Sequence, residues 1–112
     1  MKTPKVLVLL SSYNGEKYIR EQILSIMKQE GVDVHLLIRD DGSKDNTCSI
    51  IENLNETRIT LIKGNNIGCI DSFSSLIIEA ANLINEYDFF AFSDQDDIWL
   101  PQKLIVGVKR LL

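Results

Sequence analysis

The stretch that decides the fold is residues 34–45, which read VHLLIRDDGSKD. The segment Val34–Ile38 is short and mainly apolar, which favours a buried strand over a helix. It runs directly into two aspartates and Gly42, whose backbone permits a tight turn. Asp45 follows as a plausible cap for a helix. A strand that ends in a polar loop and leads into a helix is the repeating unit of an α/β sheet.

The same unit recurs on both sides of this stretch. Three more short apolar runs predict strands, namely Val6–Leu10, Ile59–Ile62 and Phe89–Phe92. Apolar residues at helical spacing predict helices over 16–29, 45–54 and 71–85, and a fourth that opens at Pro101. The order βαβαβαβα predicts an α/β fold, a Rossmann-like and mostly parallel sheet with helices on both faces.

Size and charge exclude several classes of protein. The chain has 112 residues and a net charge of −4, with no run of lysine and arginine, which argues against a nucleic-acid binder. Its longest uninterrupted apolar run, Val6–Leu10, is far below the roughly 20 residues that span a bilayer. No targeting segment is recognisable, so we expect a cytoplasmic protein that forms a single domain or part of one.

The acidic residues are concentrated rather than spread. Six of the nine aspartates lie in two windows, 40–45 and 94–97. Each window begins two residues after the end of a predicted strand. Ligands of open parallel sheets bind at the carboxyl ends of the strands, so we expect the two windows to face one crevice.

The window Asp94–Asp97 favours a metal site. Its three carboxylates would repel one another at a strand tip, and a divalent cation would relieve that repulsion. Asp94 and Asp96 can project from the same side of an extended chain, and Mg²⁺ and Mn²⁺ prefer such oxygen ligands. The alternative is a solvated acidic turn that stabilises the start of the helix at Pro101.

Two further residues favour recognition of a nucleotide. The carboxylate of Asp41 can accept a hydrogen bond from a base imide N–H or a ribose hydroxyl, although turn and cap chemistry would also explain an aspartate there. Tyr13, at the tip of the first strand, can stack on a base. The alternative for Tyr13 is a surface tyrosine that packs on the first helix.

Three stretches together carry a resemblance to a known family: VLVLLSSYNGEKYIREQI, LLIRDDGSKDNT and FAFSDQDDIWLPQKL. They resemble the start of the family 2 nucleotide-sugar glycosyltransferases, which have the GT-A fold, from Lys5 to about Leu112. The wording DQDDIW is most similar to the rhamnosyltransferase-type branch. That branch implies a dTDP-linked rhamnose donor, and the family as a whole also implies UDP-linked donors.

The resemblance implies a role for each matching residue. Tyr13 would stack on the pyrimidine base, with Ser11 beside it, and Asp41 would bond the base imide nitrogen. Asp94 and Asp96 correspond to the DxD pair. Asp94 would approach the ribose and the metal, and Asp96 would bind the Mn²⁺ or Mg²⁺ that bridges the diphosphate.

The resemblance also implies the chemistry. The metal would act as a Lewis acid on the departing nucleoside diphosphate, and a carboxylate base would deprotonate the acceptor hydroxyl, with inversion at the sugar. That base is expected beyond Leu112. Residues 1–112 would then be a truncated, donor-binding half of the domain with no catalytic residue of its own, inactive alone and open to self-association through its sheet edge.

The resemblance further implies a role in bacterial polysaccharide synthesis at the inner membrane face, with a saccharide or lipid-linked acceptor. Two other classes remain open on the residues alone. The chain could be a non-catalytic module that binds a nucleotide or metal, or a structural α/β domain whose acidic loops are merely solvated.

Overall fold

The predicted alternation of strands and helices is present in a computed structural model that describes residues 2–112. The strands are β1 Lys5–Ser12, β2 Asp33–Asp40, β3 Ile59–Lys63 and β4 Phe89–Ser93. The helices between and after them are α1 Ile19–Met27, α2 Thr47–Asn53, α3 Cys69–Ala81 and α4 Lys103–Leu111. The four strands and four helices follow the order that the sequence predicted.

The four strands form one parallel sheet in the order β3-β2-β1-β4. The chain moves outward from β1 to β3, and α3 then carries it back to β4 on the other side of β1. In register, Ser12 pairs with Asp40 and Leu10 pairs with Ser93. The carboxyl ends of the strands therefore lie along one edge of the sheet, which confirms the predicted α/β fold.

Helices lie on both faces of the sheet and bury the central strands β1 and β2, as the uninterrupted apolar runs predicted, whereas β3 and β4 are only partly covered. Alternate residues of β1, such as Val8 and Leu10, pack against α1, α2 and α4. The intervening residues Leu7 and Leu9 pack with Leu76 of α3 on the opposite face. Since successive side chains of a strand point to opposite faces, a strand buried on both faces must be apolar throughout.

The helix boundaries differ from the predicted ranges. The pattern over 71–85 corresponds to a helix that begins two residues earlier, at Cys69, and ends at Ala81. Its apolar stripe is only partly buried, because Ile77 is 50% exposed and Ile84, beyond the helix, is 63% exposed. Nothing among the described residues covers this side of α3, because the strand next to it, β4, is an edge strand that has no further strand beyond it.

Apolar grooves flank β4 on both faces of the sheet. One, of about 220 Å³, lies between β4 and α3 and includes Ile77 and Phe92. The other, of about 360 Å³, lies between β4 and α4 and includes Trp99. The exposed edge strand is thus bordered by apolar surface. Among residues 2–112, no helix has both the length and the apolar content needed to cross a membrane.

The turn into α2 is fixed by Asp45. Its Oδ1 accepts hydrogen bonds from the Thr47 amide, at 3.0 Å, and from the Thr47 hydroxyl. Its Oδ2 accepts one from the amide of Glu16, at 3.2 Å, which joins the loop before α1 to the loop before α2. Burial opposes ionisation of Asp45, but the bonds from Thr47 and from the Glu16 amide together outweigh it and hold the carboxyl pKa below its usual range.

We predict that Asp45→Ala lowers the free energy of unfolding by about 1 kcal/mol at neutral pH, because two backbone amides lose their acceptor. The folded-state pKa is depressed, so this contribution is present above the unfolded pKa of about 3.9 and is lost as the pH falls through the folded value. Urea unfolding at a series of pH values should show the gap between wild type and variant closing in acid.

The control for this prediction is Glu30→Ala, since the Glu30 side chain is exposed and makes no hydrogen bond or ion pair among residues 2–112. It should leave the unfolding free energy nearly unchanged at every pH. A gap for Asp45→Ala that stays constant down to acid pH would contradict the role given to its carboxylate.

Candidate functional site

The predicted site residues lie at the carboxyl edge of the sheet. Ser11 is near the end of β1, Asp41 directly follows β2 and Asp94 directly follows β4. The loop that holds Tyr13 contacts the loop Asp94–Asp97, called the acidic loop below. The Tyr13 carbonyl accepts a hydrogen bond from Gln95 Nε2 at 3.3 Å. The Tyr13 side chain is 36% exposed, which leaves the ring accessible from solvent. The loops after β1 and β4 therefore form one continuous surface.

Ser11 belongs to a buried network rather than to an open surface. Its Oγ donates to Ser72 Oγ of α3 at 2.6 Å, and Ser72 Oγ also accepts a bond from Arg39 Nη1 at 3.0 Å. Ser11 and Arg39 are partners in the register of β1 and β2, so both side chains point to the α3 face. The network joins the two central strands to α3 immediately below the carboxyl edge.

The carboxylate of Asp41 is almost fully enclosed, with 3% of the residue exposed. Its Oδ1 accepts bonds from Arg39 Nη1 at 2.8 Å and the Ile67 amide at 2.9 Å. Its Oδ2 accepts bonds from the Gly68 amide at 3.0 Å and Asn66 Nδ2 at 3.3 Å. All four acceptor positions of the carboxylate are therefore engaged.

These contacts keep Asp41 ionised. Burial alone would raise the carboxyl pKa, but the Ile67 amide, the Arg39 guanidinium and the Gly68 amide outweigh it and hold the pKa below its usual range. A ligand N–H can reach the carboxylate only if it replaces one of the present donors. The longest of the four bonds, from the Asn66 side chain, is the one that is most easily replaced.

The neighbouring Asp40 has a structural role. It accepts bonds from the Ser12 hydroxyl at 2.8 Å, the Ser43 amide at 2.8 Å and the Ser43 hydroxyl at 2.6 Å. The turn passes through Gly42, whose φ of +76° lies in the left-handed region. A Cβ at Gly42 would lie 2.9 Å from the Asn66 backbone nitrogen, so glycine also lets the β3–α3 loop approach.

The acidic loop is exposed and strained. Asp96 has a φ of +71°, which is uncommon for a residue other than glycine and is often found at functional sites. Within residues 2–112, the carboxylates of Asp94 and Asp96 make neither a hydrogen bond nor an ion pair, whereas Asp97 Oδ2 accepts a bond from Trp99 Nε1 at 3.2 Å. Because α4 begins only at Lys103, the acidic residues lie outside its first turn.

A buried glutamine supports the acidic loop from below. Gln22 of α1 is fully buried, and its Nε2 donates to Ser93 Oγ at 3.0 Å and to the Asp94 carbonyl. Its Oε1 is buried without a hydrogen-bond partner in the described chain, as is the hydroxyl of Tyr18. The backbone at the tip of β4 is thus attached to α1 by a side-chain amide.

Sequence reasoning missed three residues that organise the site: Gln22, Arg39 and Ser72. Each carried a weak signal, since each is a polar residue on a face that is otherwise apolar. Gln22 adjoins the buried Ile23, and Ser72 lies four residues before the buried Leu76 on α3. The pattern marks such positions as exceptional but does not identify their partners.

The donor chemistry of the acidic loop fits a hard cation. Asp94 and Asp96 offer only oxygen ligands, and both carboxylates are free of protein donors within residues 2–112. No group of three or more His, Cys, Asp or Glu side chains surrounds a common point in that part of the chain. Mg²⁺ is usually bound by one or two carboxylates together with substrate phosphates, so this small ligand set suits a cation that arrives with a diphosphate.

Comparison with known sequences identifies similar proteins. The chain is 38% identical over 101 residues to the dTDP-rhamnosyl transferase RfbG of Shigella flexneri, which covers 85% of this chain and 34% of that protein. It is 32% identical over 110 residues to the UDP-Glc:alpha-D-GlcNAc-diphosphoundecaprenol beta-1,3-glucosyltransferase WfgD of Escherichia coli, covering 96% of this chain and 41% of that protein. The chain therefore spans well under half the length of these relatives.

Solved structures share the fold. S. aureus TarS 1–349 in complex with UDP superposes with a TM-score of 0.79 at 27% identity, over 94% of this chain and 31% of that one. The mannosyltransferase PcManGT from Pyrobaculum calidifontis, in complex with GDP-Man and Mn²⁺, gives a TM-score of 0.82 at 23% identity, over 98% of this chain and 33% of that one. These matches confirm that the sheet and its helices have the GT-A architecture.

The chain also matches a protein family as a whole. The sequence model of glycosyl transferase family 2 covers residues 7–112, which is nearly the whole chain. This match agrees with the curated relatives, the shared architecture and the acidic loops at the carboxyl ends of β2 and β4. The chain belongs to glycosyl transferase family 2.

Proposed function

We propose that this chain binds the nucleotide-sugar donor of a glycosyltransferase, which moves a sugar from a nucleoside diphosphate to an acceptor hydroxyl. The observation that carries the proposal is the placement of Asp41, Asp94 and Asp96 at one edge of a parallel sheet, after strands that flank β1 on either side. Structural relatives that were solved with UDP, UDP-GlcNAc and GDP-Man support a donor of this class.

The base of this donor is a pyrimidine. The accessible ring of Tyr13 stacks on it, and its imide N–H takes the place of the Asn66 amide at the ionised carboxylate of Asp41. Ser11 lies beside the base and is held by its bond to Ser72. The similarity to a dTDP-rhamnosyl transferase favours dTDP-rhamnose as the donor, and a UDP-sugar has the same imide group.

Asp94 and Asp96 are the residues that hold Mn²⁺ or Mg²⁺ together with the diphosphate. When bound, the cation supplies charge neutralisation for the departing nucleoside diphosphate. The chain itself orients the carboxylates of Asp94 and Asp96. Gln22 fixes the backbone carbonyl of Asp94, and the left-handed backbone of Asp96 turns its side chain at the strand tip.

The acceptor side of the reaction belongs to the rest of the protein. An inverting transfer needs a carboxylate base near the acceptor hydroxyl, and we propose that this base lies outside residues 1–112. Residues 1–112 then bind the donor but do not turn it over alone. We further propose a saccharide or lipid-linked acceptor, and a place in bacterial polysaccharide synthesis on the cytoplasmic side of the inner membrane.

The metal-assisted binding of the donor is tested by titration calorimetry of dTDP and UDP, with and without Mn²⁺. Asp96→Asn should weaken nucleotide binding about tenfold or more when Mn²⁺ is present, because it removes a charged ligand of the cation. Without metal, the same variant should bind almost as the wild type does.

The matched control is Asp88→Asn. Asp88 is an exposed aspartate just before β4, at the amino ends of the strands and therefore away from the candidate site. It should leave both titrations unchanged. The donor-site proposal is wrong if neither nucleotide binds at millimolar concentration. The metal assignment is wrong if Mn²⁺ has no effect on affinity, or if Asp96→Asn and Asp88→Asn behave alike.

We also propose that residues 1–112 in isolation self-associate through β4. Within residues 2–112, the strand pairs on one side only, with β1, and leaves unpaired backbone groups between two apolar grooves. A second copy can pair its own β4 antiparallel to the first, which makes the contact self-complementary. The exposed Phe92 would be covered in such a dimer.

Light scattering of the isolated chain over a range of concentrations tests this self-association. Wild type should gain mass as the concentration rises, and Phe92→Lys should stay monomeric because it places a charge beside the paired edge. Ile70→Lys is the control, since Ile70 is exposed on α3 and outside both grooves. A wild-type chain that is monomeric at all concentrations contradicts the proposal.

A further inference from the structure

Arg39 is a buried charged residue of the site to which the donor-binding proposal assigns no role. It is 7% exposed, and a buried guanidinium is tolerated only where its charge and donors are compensated. Its Nη1 donates to Asp41 Oδ1 at 2.8 Å and Ser72 Oγ at 3.0 Å, and its Nη2 donates to the Asn65 carbonyl at 3.1 Å. One side chain thus contacts Asp41, α3 and the loop before α3.

The fold makes room for this guanidinium at Gly64. A Cβ there would lie 2.2 Å from Arg39 Nη2 and 2.6 Å from Arg39 Cζ, closer than real contacts allow. Gly64 is not among the glycines with a positive φ, which are Gly31, Gly42 and Gly68. A methyl group at this position would therefore displace the Arg39 head group, while the backbone conformation of Gly64 itself is open to other residues. The Arg39 head group lies directly against the Gly64 backbone.

The bonds to Asp41 are unequal in a way that gives Arg39 a function. Oδ1 is held firmly by Arg39 and the Ile67 amide, at 2.8 and 2.9 Å. Oδ2 has the one long bond, from Asn66 at 3.3 Å. Arg39 and the Ile67 amide hold Oδ1, whereas Oδ2 accepts the Gly68 amide at 3.0 Å and the longer bond from Asn66, so Oδ2 is the oxygen at which a ligand donor can most readily replace a protein donor.

The Arg39 guanidinium also supports Ser11, the other residue that is proposed to lie beside the base. Ser72, which accepts a bond from Arg39, is the partner of the Ser11 hydroxyl at 2.6 Å. Arg39 is also opposite Ser11 in the register of β1 and β2. Removing the guanidinium would loosen both Asp41 and Ser11 without touching the ligand itself.

We propose that Arg39 is a positioning residue for base recognition, one that holds Asp41 Oδ2 toward the imide N–H of the donor base, and that Gly64 exists to admit its guanidinium. The inference rests on the proposed function and deepens it. It makes the preference for a base with an imide N–H depend on Arg39, a residue that does not itself contact the base.

The test measures selectivity rather than affinity alone. The probes are dTDP and its N3-methyl analogue, in which a methyl group replaces the imide hydrogen. Wild type should prefer dTDP by about tenfold or more, since a hydrogen bond to a charged carboxylate is lost in the analogue. Gly64→Ala and Arg39→Met should reduce this preference to about threefold or less, and Arg39→Lys should retain part of it.

Two controls separate positioning from a general loss of structure. Gly107→Ala adds a methyl group where nothing lies within 4 Å, and it should keep the full preference for dTDP. In an Asp41→Asn background, adding Arg39→Met should change the preference no further, because the two residues act through one contact. A purely structural effect of Arg39 would add to that of Asp41→Asn. The preference is the ratio of the affinities for the two probes. Partial unfolding lowers both apparent affinities by the same factor and therefore leaves the ratio unchanged.

The outcomes distinguish the inference from the proposed function. A wild-type chain that binds both probes equally overturns the Asp41–imide contact and, with it, the inference. A wild-type preference that Asp41→Asn abolishes, but that Gly64→Ala and Arg39→Met leave intact, overturns the inference alone. If Arg39→Met does not fold, then Gly64→Ala and Arg39→Lys decide the question.

Discussion

Parallel pairing of β1 with both β2 and β4 is the constraint on which the rest of this structure depends. Strands that run in the same direction end at the same edge, so the residues after β1, β2 and β4 meet there although they are far apart in the chain. Helices on both faces leave this edge as the place where polar loops can gather. The position of the acidic residues at that edge, and not the net charge, is the basis of the roles proposed for them.

The ionised carboxylate of Asp41 is the second constraint. A buried charge must be neutralised and fully hydrogen-bonded, and here Arg39 and the β3–α3 loop supply those partners. This requirement explains why Gly42 and Gly64 both lie where two segments approach closely. In the proposed donor site, the base would therefore have to replace a hydrogen-bond donor of the protein itself, which would couple nucleotide binding to the conformation of the β3–α3 loop.

Much of the fold was predictable because its signals are local. Short runs such as Val6–Leu10 predicted the strands, and turn residues predicted their ends, so element order and fold class are confirmed. The positions of Ser11, Tyr13, Asp41, Asp94 and Asp96 at one edge followed from the same reasoning. Their roles toward base, ribose and metal remain predictions.

The partners within the site were not predictable, because they depend on register between distant segments. Gln22 bonds Ser93 across 71 residues, and Arg39 bonds Ser72 across 33. The pattern on α3 likewise indicated an apolar stripe but not that Ile77 and Ile84 would stay uncovered beside the edge strand β4. Periodicity reports which face of an element is apolar, whereas burial depends on what lies opposite.

The central claim is that donor and cation bind together at the carboxyl edge, and the most direct measurement is the amide NMR spectrum of the chain with dTDP. Diamagnetic Mg²⁺ with dTDP should shift the amide signals of Ile67 and Gly68, which bond Asp41. Trace Mn²⁺ with dTDP should selectively broaden the amides of Asp94–Asp97 and spare those of Asp33 and Asp88 at the opposite edge. Broadening that is uniform, or that centres on the opposite edge, would contradict the account.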